Sequence, residues 1–321
     1  MNYELRLFAK TRAQDYAQLF DDQVNSVDEA TRARRDWWCF KNPNGGAFAV
    51  ILSGAKVVST CYLSGKRIRI NGQILHCYEI GETATDPNHQ RKGLFSKLVI
   101  AMTAHAAAEG ASNVYGTPNP QSAPGYVKLG FKNVDLPDHA LLLLPLMRYW
   151  LFRRGRPAPP SARKGRWEID PAQYVEQTIQ FPRLNDTTEA YLQWRLATSP
   201  REYRFFRVET RGGVLHCVAR TGELGNHPAI VVAEHYLNGT KAPIDLLAPL
   251  LRKALSGCFA FGQYAGIYVL AQTPKRFTKA AQIWHRAIVH RNFPICVQND
   301  VNSVAAEFAA LHFQLSDCDI G

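Results

Sequence analysis

Two stretches of this chain repeat one another at nearly half its length. "DWWCFKNPNGGAFAVILSGAKVVSTCYL" reads as a helix end, a proline and two strands about a glycine, and "AYLQWRLATSPREYRFFRVETRGGVLHCVAR" repeats that order. Trp38 and Trp194 precede Pro43 and Pro200, Gly54 and Gly212 follow in hairpin turns, and the equivalents lie 156 to 158 residues apart. A repeat of that length is a whole domain, so a duplicated fold is expected. A chain of 321 residues suits two domains of ordinary size.

The order continues in parallel. In the first half, "HCYEIGETAT" alternates as a strand, "RKGLFSKLVIAMTAHAAAEG" is a helix ended by Gly110, "SNVYGT" is a short strand and "APGYVKLG" a short helix. "FKNV" and "HALLLLPL" supply two last strands. In the second half, "AIVVAEHYL" is the strand, "APIDLLAPLLRKALSG" the helix, "AGIYVLAQ" a strand, "KRFTKAAQIWHRAIV" a helix and "FPICVQ" a strand. The expected class is α+β, or mixed α/β: two tandem domains, each a twisted, mostly antiparallel mixed sheet flanked by helices. Between the halves, "RYWLFRRGRPAPPSARKGRW" holds six arginines, one lysine and three prolines without periodicity, which reads as a linker. The expected boundaries are 1–150 for a catalytic domain, 151–167 for the linker and 168–321 for a second, degenerate copy.

Composition narrows the partners. With 46% hydrophobic and 20% charged residues the chain is a globular protein rather than a disordered one. A net charge of +11 favours polyanions: nucleic acid, a membrane surface or a phosphorylated small molecule. No helix-turn-helix, zinc-finger or RNA-binding pattern supports nucleic acid. No apolar run reaches membrane-spanning length, and "ALLLLPLM" is better suited to a buried strand. The N-terminus carries charges too early for a signal peptide. Seven cysteines without a CxxC spacing argue against a disulfide framework or a structural metal, so a cytoplasmic protein without a metal is expected.

The halves differ where the long strand meets its helix. The first has "DPNHQRKGLF" and the second "NGTKAPIDLL", which lacks the arginine and the glycine after the basic residue. A helix N-terminus exposes unpaired N–H groups and a partial positive charge, and a glycine lets a ligand approach them. With Arg91 and Lys92 beside it, this junction suits a phosphate. The spacings GxxxxGK[ST] and GxGxxG are absent, which disfavours a nucleotide triphosphatase and a Rossmann dehydrogenase.

"QRKGLF" after a strand ending "TATDP" resembles the [QR]-x-x-G-x-[GA] motif of the GNAT acyltransferases, and "GYVKLGF" further on resembles their Y-x-x-x-G-F landmark. The resemblance covers roughly residues 2–147. It implies that Gln90, Arg91, Lys92, Gly93, Leu94 and Phe95 hold the pyrophosphate of coenzyme A, although Phe95 stands where the family has a small residue. It further implies that Thr83 and Thr85 pair with the pantetheine arm as an added strand, that Asn119 touches the pantetheine, and that Tyr126 protonates the departing thiolate. The Thr83 N–H is a donor for the oxyanion.

Acyl transfer to an amine also needs a group that takes the amine proton. Glu82 is preferred, with His76 and Glu79 behind it. Glu79 and Glu82 are three apart, so in a regular strand they point to opposite faces unless the strand bulges. Cys61 and Cys77 are weak candidates for an acyl-carrying nucleophile, since no His/Asp order accompanies them. The segment "RRDWWCFKNPNGG" brings Trp37, Trp38, Lys41, Asn42 and Asn44 toward an acceptor, while the repeat of the tryptophan favours a packing role for at least one of the pair. The duplicated pattern looks like the tandem-GNAT N-acyltransferases that act on nucleotide-linked amino sugars for surface polysaccharides. The implied ligands are acyl-CoA and an amine-bearing nucleotide sugar, on a monomer or homodimer without membrane insertion. Two readings stay open beside it: a GNAT enzyme for another amine (an antibiotic, a small metabolite or a protein lysine) and a non-catalytic coenzyme A-binding module.

Overall fold

The computed structural model describes residues 2–9, 29–70, 73–119, 121–135, 139–143, 164–181, 183, 188–224, 227–240, 242–270, 287–290 and 294–297. The chain forms two compact units: Met1–Val134 with Pro294–Glu307, and Asp135–Phe293 with Phe308–Gly321. Each is a mixed α/β unit on one twisted sheet with helices against it, as the repeat requires.

The first unit begins with β1 (Tyr3–Ala9) and α1 (Glu29–Phe40). Three long strands follow: β2 (Gly46–Ser53), β3 (Lys56–Ile70) and β4 (Gln73–Thr85). Then come α2 (Leu94–Ala108), β5 (Asn113–Gly116), α3 (Ala123–Lys128) and β6 (Lys132–Asp135). β1 to β4 pair antiparallel in chain order, and β5 joins β4 in parallel. α2 lies on one face, where Leu94, Leu98, Val99, Met102 and Ala106 meet Ala49, Ile51, Tyr78 and Ile80 in one core. α1 covers the other face. Trp38, 1% exposed, lies on Gly81 so closely that a Cβ there would sit 3.3 Å from its ring.

The second unit takes β7 (His139–Leu143) and β8 (Glu168–Ile169), then α4 (Pro171–Thr178) and α5 (Glu189–Leu192). β9 (Arg204–Thr210), β10 (Gly213–Leu224) and β11 (His227–Leu237) pair antiparallel. α6 (Ile244–Leu255), the parallel strand β12 (Gly266–Leu270) and β13 (Ala287–His290) complete its described elements, and β14 (Pro294–Val297) belongs to the first unit.

Among the described residues the two sheets have the same plan. Their orders are β1-β2-β3-β4-β5-β14-β6 and β8-β9-β10-β11-β12-β7-β13. The sixth place in each is filled by a strand from the other half of the chain: β14 beside β5 in the first, β7 beside β12 in the second. The units therefore do not divide the chain at 1–150 and 168–321. "HALLLLPL", read as a last strand of the first domain, pairs with β12 and β13 in the second. Strand signals report burial and alternation, not which sheet receives the strand. The last residues of the helix expected over Lys275–Val289 are strand β13. Its residues 275–286 lie outside the described residues, as do residues 151–163 of the expected linker. No described helix is long and apolar enough to cross a membrane.

Candidate functional site

β4 outruns its partner. It pairs with β5 only at Cys77–Glu79 against Asn113–Tyr115, yet it continues to Thr85. Cys77 to Ile80 are buried, and Gly81 to Thr85 are half-exposed. A strand end that has lost its neighbour presents backbone donors and acceptors to an extended ligand. Within this end the register against β3 slips between Thr60 and Tyr62, so Cys61 alone faces Glu82 and Thr83. Glu82 takes φ 47° there. Such a bulge re-aims the side chains that follow it.

The bulge does not bring both candidate carboxylates to the site. Glu79 precedes it and lies inside the unit at 2% exposure, with its carboxylate 3.0 Å from the fully buried Lys66 ammonium. Glu82 is half-exposed, and Oε1 accepts from Arg34 of α1 at 3.1 Å. Arg34, which sequence reasoning passed over, sits one turn before Trp38, so the same helix face covers Gly81 and Glu82. A run of three arginines at 32, 34 and 35 was the available signal.

Thr83 gathers a second cluster. Its hydroxyl lies 3.3 Å from the Cys61 sulfur and 3.4 Å from the Tyr126 phenolic oxygen. Tyr126, 3% exposed, stands edge-on between Phe95 at 5.2 Å and Phe131 at 5.1 Å. Phe95 reaches α3 because Gly125 makes room: a Cβ there would lie 2.7 Å from the Phe95 ring. The bulky residue at the end of the loop motif thus steadies Tyr126. Burial pushes the Cys61 thiol up to about 12, and it does the same at Cys77, so neither is a thiolate nucleophile near neutrality.

The loop between β4 and α2 is pinned in its first half. Asp86 is buried, accepts from Lys56 Nζ at 2.7 Å and caps the turn Pro87–His89 through the Asn88 N–H. Hydrogen bonding from Lys56 and Asn88 holds its carboxyl below the usual range. His89 meets the Tyr3 hydroxyl at 3.1 Å. Beyond these pins Gln90, Arg91, Lys92 and Gly93 are exposed, with φ 59° at Arg91 and 74° at Gly93. No side chain caps α2, and nothing lies within 4 Å of where a Gly93 Cβ would stand. An open, uncapped start of a 15-residue helix flanked by two cations fits a pyrophosphate. Leu94 faces the core at 3% exposure and contributes backbone only.

Other expected residues lie elsewhere. Asn119 uses Oδ1 to accept from Gln121 N and Ser122 N, which shapes the turn into α3. Asn42 is fully buried, its amide donating to Ser64 Oγ and Gly65 O and its carbonyl accepting from Asn44 N. Trp37 and Trp38 are both core residues, and Lys41 is exposed. His76 lies six residues before Glu82, about 20 Å along the strand, packed on Tyr78. Burial lowers its proton affinity. Thr85 bonds Ser59 through the two hydroxyls at 2.7 Å.

The second unit keeps the framework and closes the site. β11 bulges between its partners Val218 and Ala219, but Ala233 to Tyr236 are buried there. His235 donates from Nε2 to the Leu270 carbonyl at 2.6 Å, bridging the gap between β11 and β12. Glu234 is buried against Arg183 at 3.0 Å and accepts from the Tyr174 hydroxyl. α6 starts behind Pro243, between the buried Ala242 and Ile244, with proline where α2 has Gly93; as at α2, no side chain caps it. Among the described residues no cluster of metal-ligating side chains occurs.

Residues 4–134, within the first unit, match the family model of the acetyltransferase (GNAT) domain. No curated protein matches the sequence. Among solved structures, the chain is similar to a conserved Enterococcus faecalis V583 protein described as a probable N-acyltransferase. Identity is 13%, coverage 92% of this chain and 72% of that one, and the TM-score 0.59. A GCN5-related N-acetyltransferase from Anabaena variabilis aligns with 12% identity, 92% and 72% coverage and TM-score 0.54. Eis1 from Mycobacterium abscessus aligns with 11% identity, 96% and 76% coverage and TM-score 0.52. At these identities the likeness is one of fold, and it extends across both units.

Proposed function

We propose that the first unit is an acyl-CoA-dependent N-acyltransferase that acts on a primary amine by direct attack within a ternary complex, and that the second unit carries no active site of its own. The observation that carries this reading is the meeting of an open strand end, Gly81–Thr85, with the Thr83–Tyr126 contact and the uncapped start of α2. The thioester supplies the activated acyl group. The amides of residues 90–95 and the cations Arg91 and Lys92 hold the pyrophosphate, and the β4 edge at Thr83 and Thr85 aligns the pantetheine arm. Amides on the bulge face the carbonyl oxygen as it takes negative charge. Tyr126 gives its proton to the sulfur as the C–S bond breaks.

Glu82 is the acceptor-side carboxylate. With Arg34 at 3.1 Å, it receives the amine proton directly only if the arriving acceptor displaces the guanidinium; otherwise a water carries the proton. The acceptor favoured is the amino group of a nucleotide-linked sugar, in a pathway of surface-polysaccharide assembly. Support comes from the net charge of +11 and from Arg32 and Arg34 on the helix over the bulge, which suit an anionic acceptor. The five described cysteines are free and fit a reducing cytoplasm.

The test is free-thiol release and amide formation from acetyl-CoA and longer acyl-CoA donors with a panel of amines that includes nucleotide amino sugars. Amide formed on a nucleotide amino sugar supports the full reading. Amide formed only on an antibiotic, a small metabolite or a protein lysine keeps the transferase and replaces the acceptor. Tight coenzyme A binding without transfer to any amine replaces it with a binding module.

A further inference from the structure

The bulge aligns three polar groups beneath the strand edge: the Cys61 thiol, the Thr83 hydroxyl and the Tyr126 phenol. The middle group has a single hydrogen and two neighbours within reach, at 3.3 Å and 3.4 Å. When that hydrogen points to the Cys61 sulfur, the Thr83 oxygen accepts, and the phenol is the donor of the Tyr126 contact. When it points to Tyr126, the phenolic oxygen accepts instead. Thr83 is thus a two-position hydroxyl set between a neutral sulfur and the group read above as the proton donor.

We propose that the Thr83 side chain, apart from its backbone, is the positioning residue for Tyr126: its hydroxyl hydrogen rests on Cys61 and turns to Tyr126 as the phenol gives up its proton. This rests on the transferase reading. The step balances simply. The electron pair of the breaking C–S bond goes to sulfur, which takes the phenolic hydrogen as a proton and leaves as a thiol. Negative charge appears on the Tyr126 oxygen, and the Thr83 O–H turns toward it and stays bonded to its own oxygen. The acceptor amine loses one proton to water or to Glu82, and Tyr126 regains one after the thiol has left and opened its place to water.

Two features of the structure suit Thr83 to this role. Cys61 is fully buried, and burial keeps its thiol neutral, so the resting hydrogen bond is weak and readily exchanged for one to an anion. Tyr126 is held edge-on by Phe95 and Phe131 and is nearly enclosed, so bulk water has little access to its oxygen. The charge that forms there is stabilised by a donor from the protein, and the Thr83 hydroxyl lies within 3.4 Å. Threonine also fits the strand better than serine through its second branch, which serves the bulge rather than the chemistry.

The experiment measures kcat and KM for acyl-CoA in the full chain for Thr83→Val, Thr83→Ser, Tyr126→Phe and the double variant Thr83→Val/Tyr126→Phe. Valine keeps the branched shape and the backbone N–H while removing the hydroxyl. We expect Thr83→Val to lower kcat roughly 10- to 100-fold, as for a hydrogen bond to a charged group, with KM unchanged. Thr83→Ser is expected to recover most of that loss. The double variant is expected to match Tyr126→Phe alone, because without a phenolate the hydroxyl has nothing to stabilise. An equal loss from Thr83→Val in both backgrounds, or no rescue by serine, would assign Thr83 a packing role and overturn the proposal. A Tyr126→Phe variant with wild-type kcat would instead remove Tyr126 as the acid and the mechanism with it. Cys61→Ala gives an independent check: its effect is expected to vanish in the Thr83→Val background, and a full effect there would also count against the relay.

Discussion

Single side chains in this protein divide by what faces them rather than by their chemistry. Glu79 and Glu82 are the same residue type on one strand; one is sealed against Lys66 and the other meets Arg34 near solvent. The sealed pair yields a stability prediction. Lys66→Met strands the Glu79 carboxylate in the interior and should lower unfolding free energy by about 3–5 kcal/mol, whereas Lys66→Met/Glu79→Leu should recover most of it. Urea unfolding midpoints with unchanged slopes would check this. In the second unit His216 is 7% exposed, with Arg207 opposite it on β9, and burial with that charge brings it down to about 4. The unfolded chain takes up a proton near pH 6.5 and the native chain does not, so this residue subtracts stability as pH falls from 6.5 to about 4. His216→Gln should flatten the curve in that window by up to about 1.4 kcal/mol per pH unit, read from unfolding at stepped pH.

Elements make the site where they stop matching one another. β4 is long and β5 short, and the unmatched end of β4 forms the open edge. The start of α2 depends on a left-handed residue: Gly93 at φ 74°. Gly93→Val should cost about 1–2 kcal/mol for the backbone conformation and, because its side chain would enter the open approach to the amides, weaken coenzyme A binding more than tenfold. Calorimetric titration with coenzyme A separates this from Asn substitution, which tolerates the conformation better and adds a smaller clash. The sequence announced this junction, because a glycine after basic residues at a helix start has few other uses. It said nothing of the bulge, which arises from pairing with β3 across 20 residues of chain and leaves no local signature.

At the scale of the molecule, the exchange of β7 and β14 ties each sheet to the other half of the chain. A fragment ending at residue 150 would lack β14 and leave β5 with an unpaired edge at Tyr115 and Gly116. Expressed alone, residues 1–150 should aggregate or lack a cooperative melt, and co-expression with residues 151–321 should restore a soluble complex. Size-exclusion chromatography and thermal melts would show it, and a stable, cooperatively melting 1–150 fragment would contradict it. The duplicated plan also explains the closed second site. His235 and the Glu234–Arg183 pair fill the strand end in the second unit that corresponds to the half-exposed end of β4 in the first, as the proposed single active site requires.

The sequence by itself determined the repeat, the α+β class, most helices and strands, and the glycine-led helix start, because periodicity, turn residues and helix caps act over a few residues. The resemblance of GYVKLGF to a family landmark also singled out Tyr126, and the structure brings it to Thr83. Tertiary structure decided which sheet each exchanged strand joins, which of two carboxylates is sealed and which stays half-exposed, and that Trp38 and Asn42 are interior. Those outcomes depend on burial and on partners far away in the chain. A side chain's surroundings, and not its identity, determine whether it holds the fold or serves a ligand.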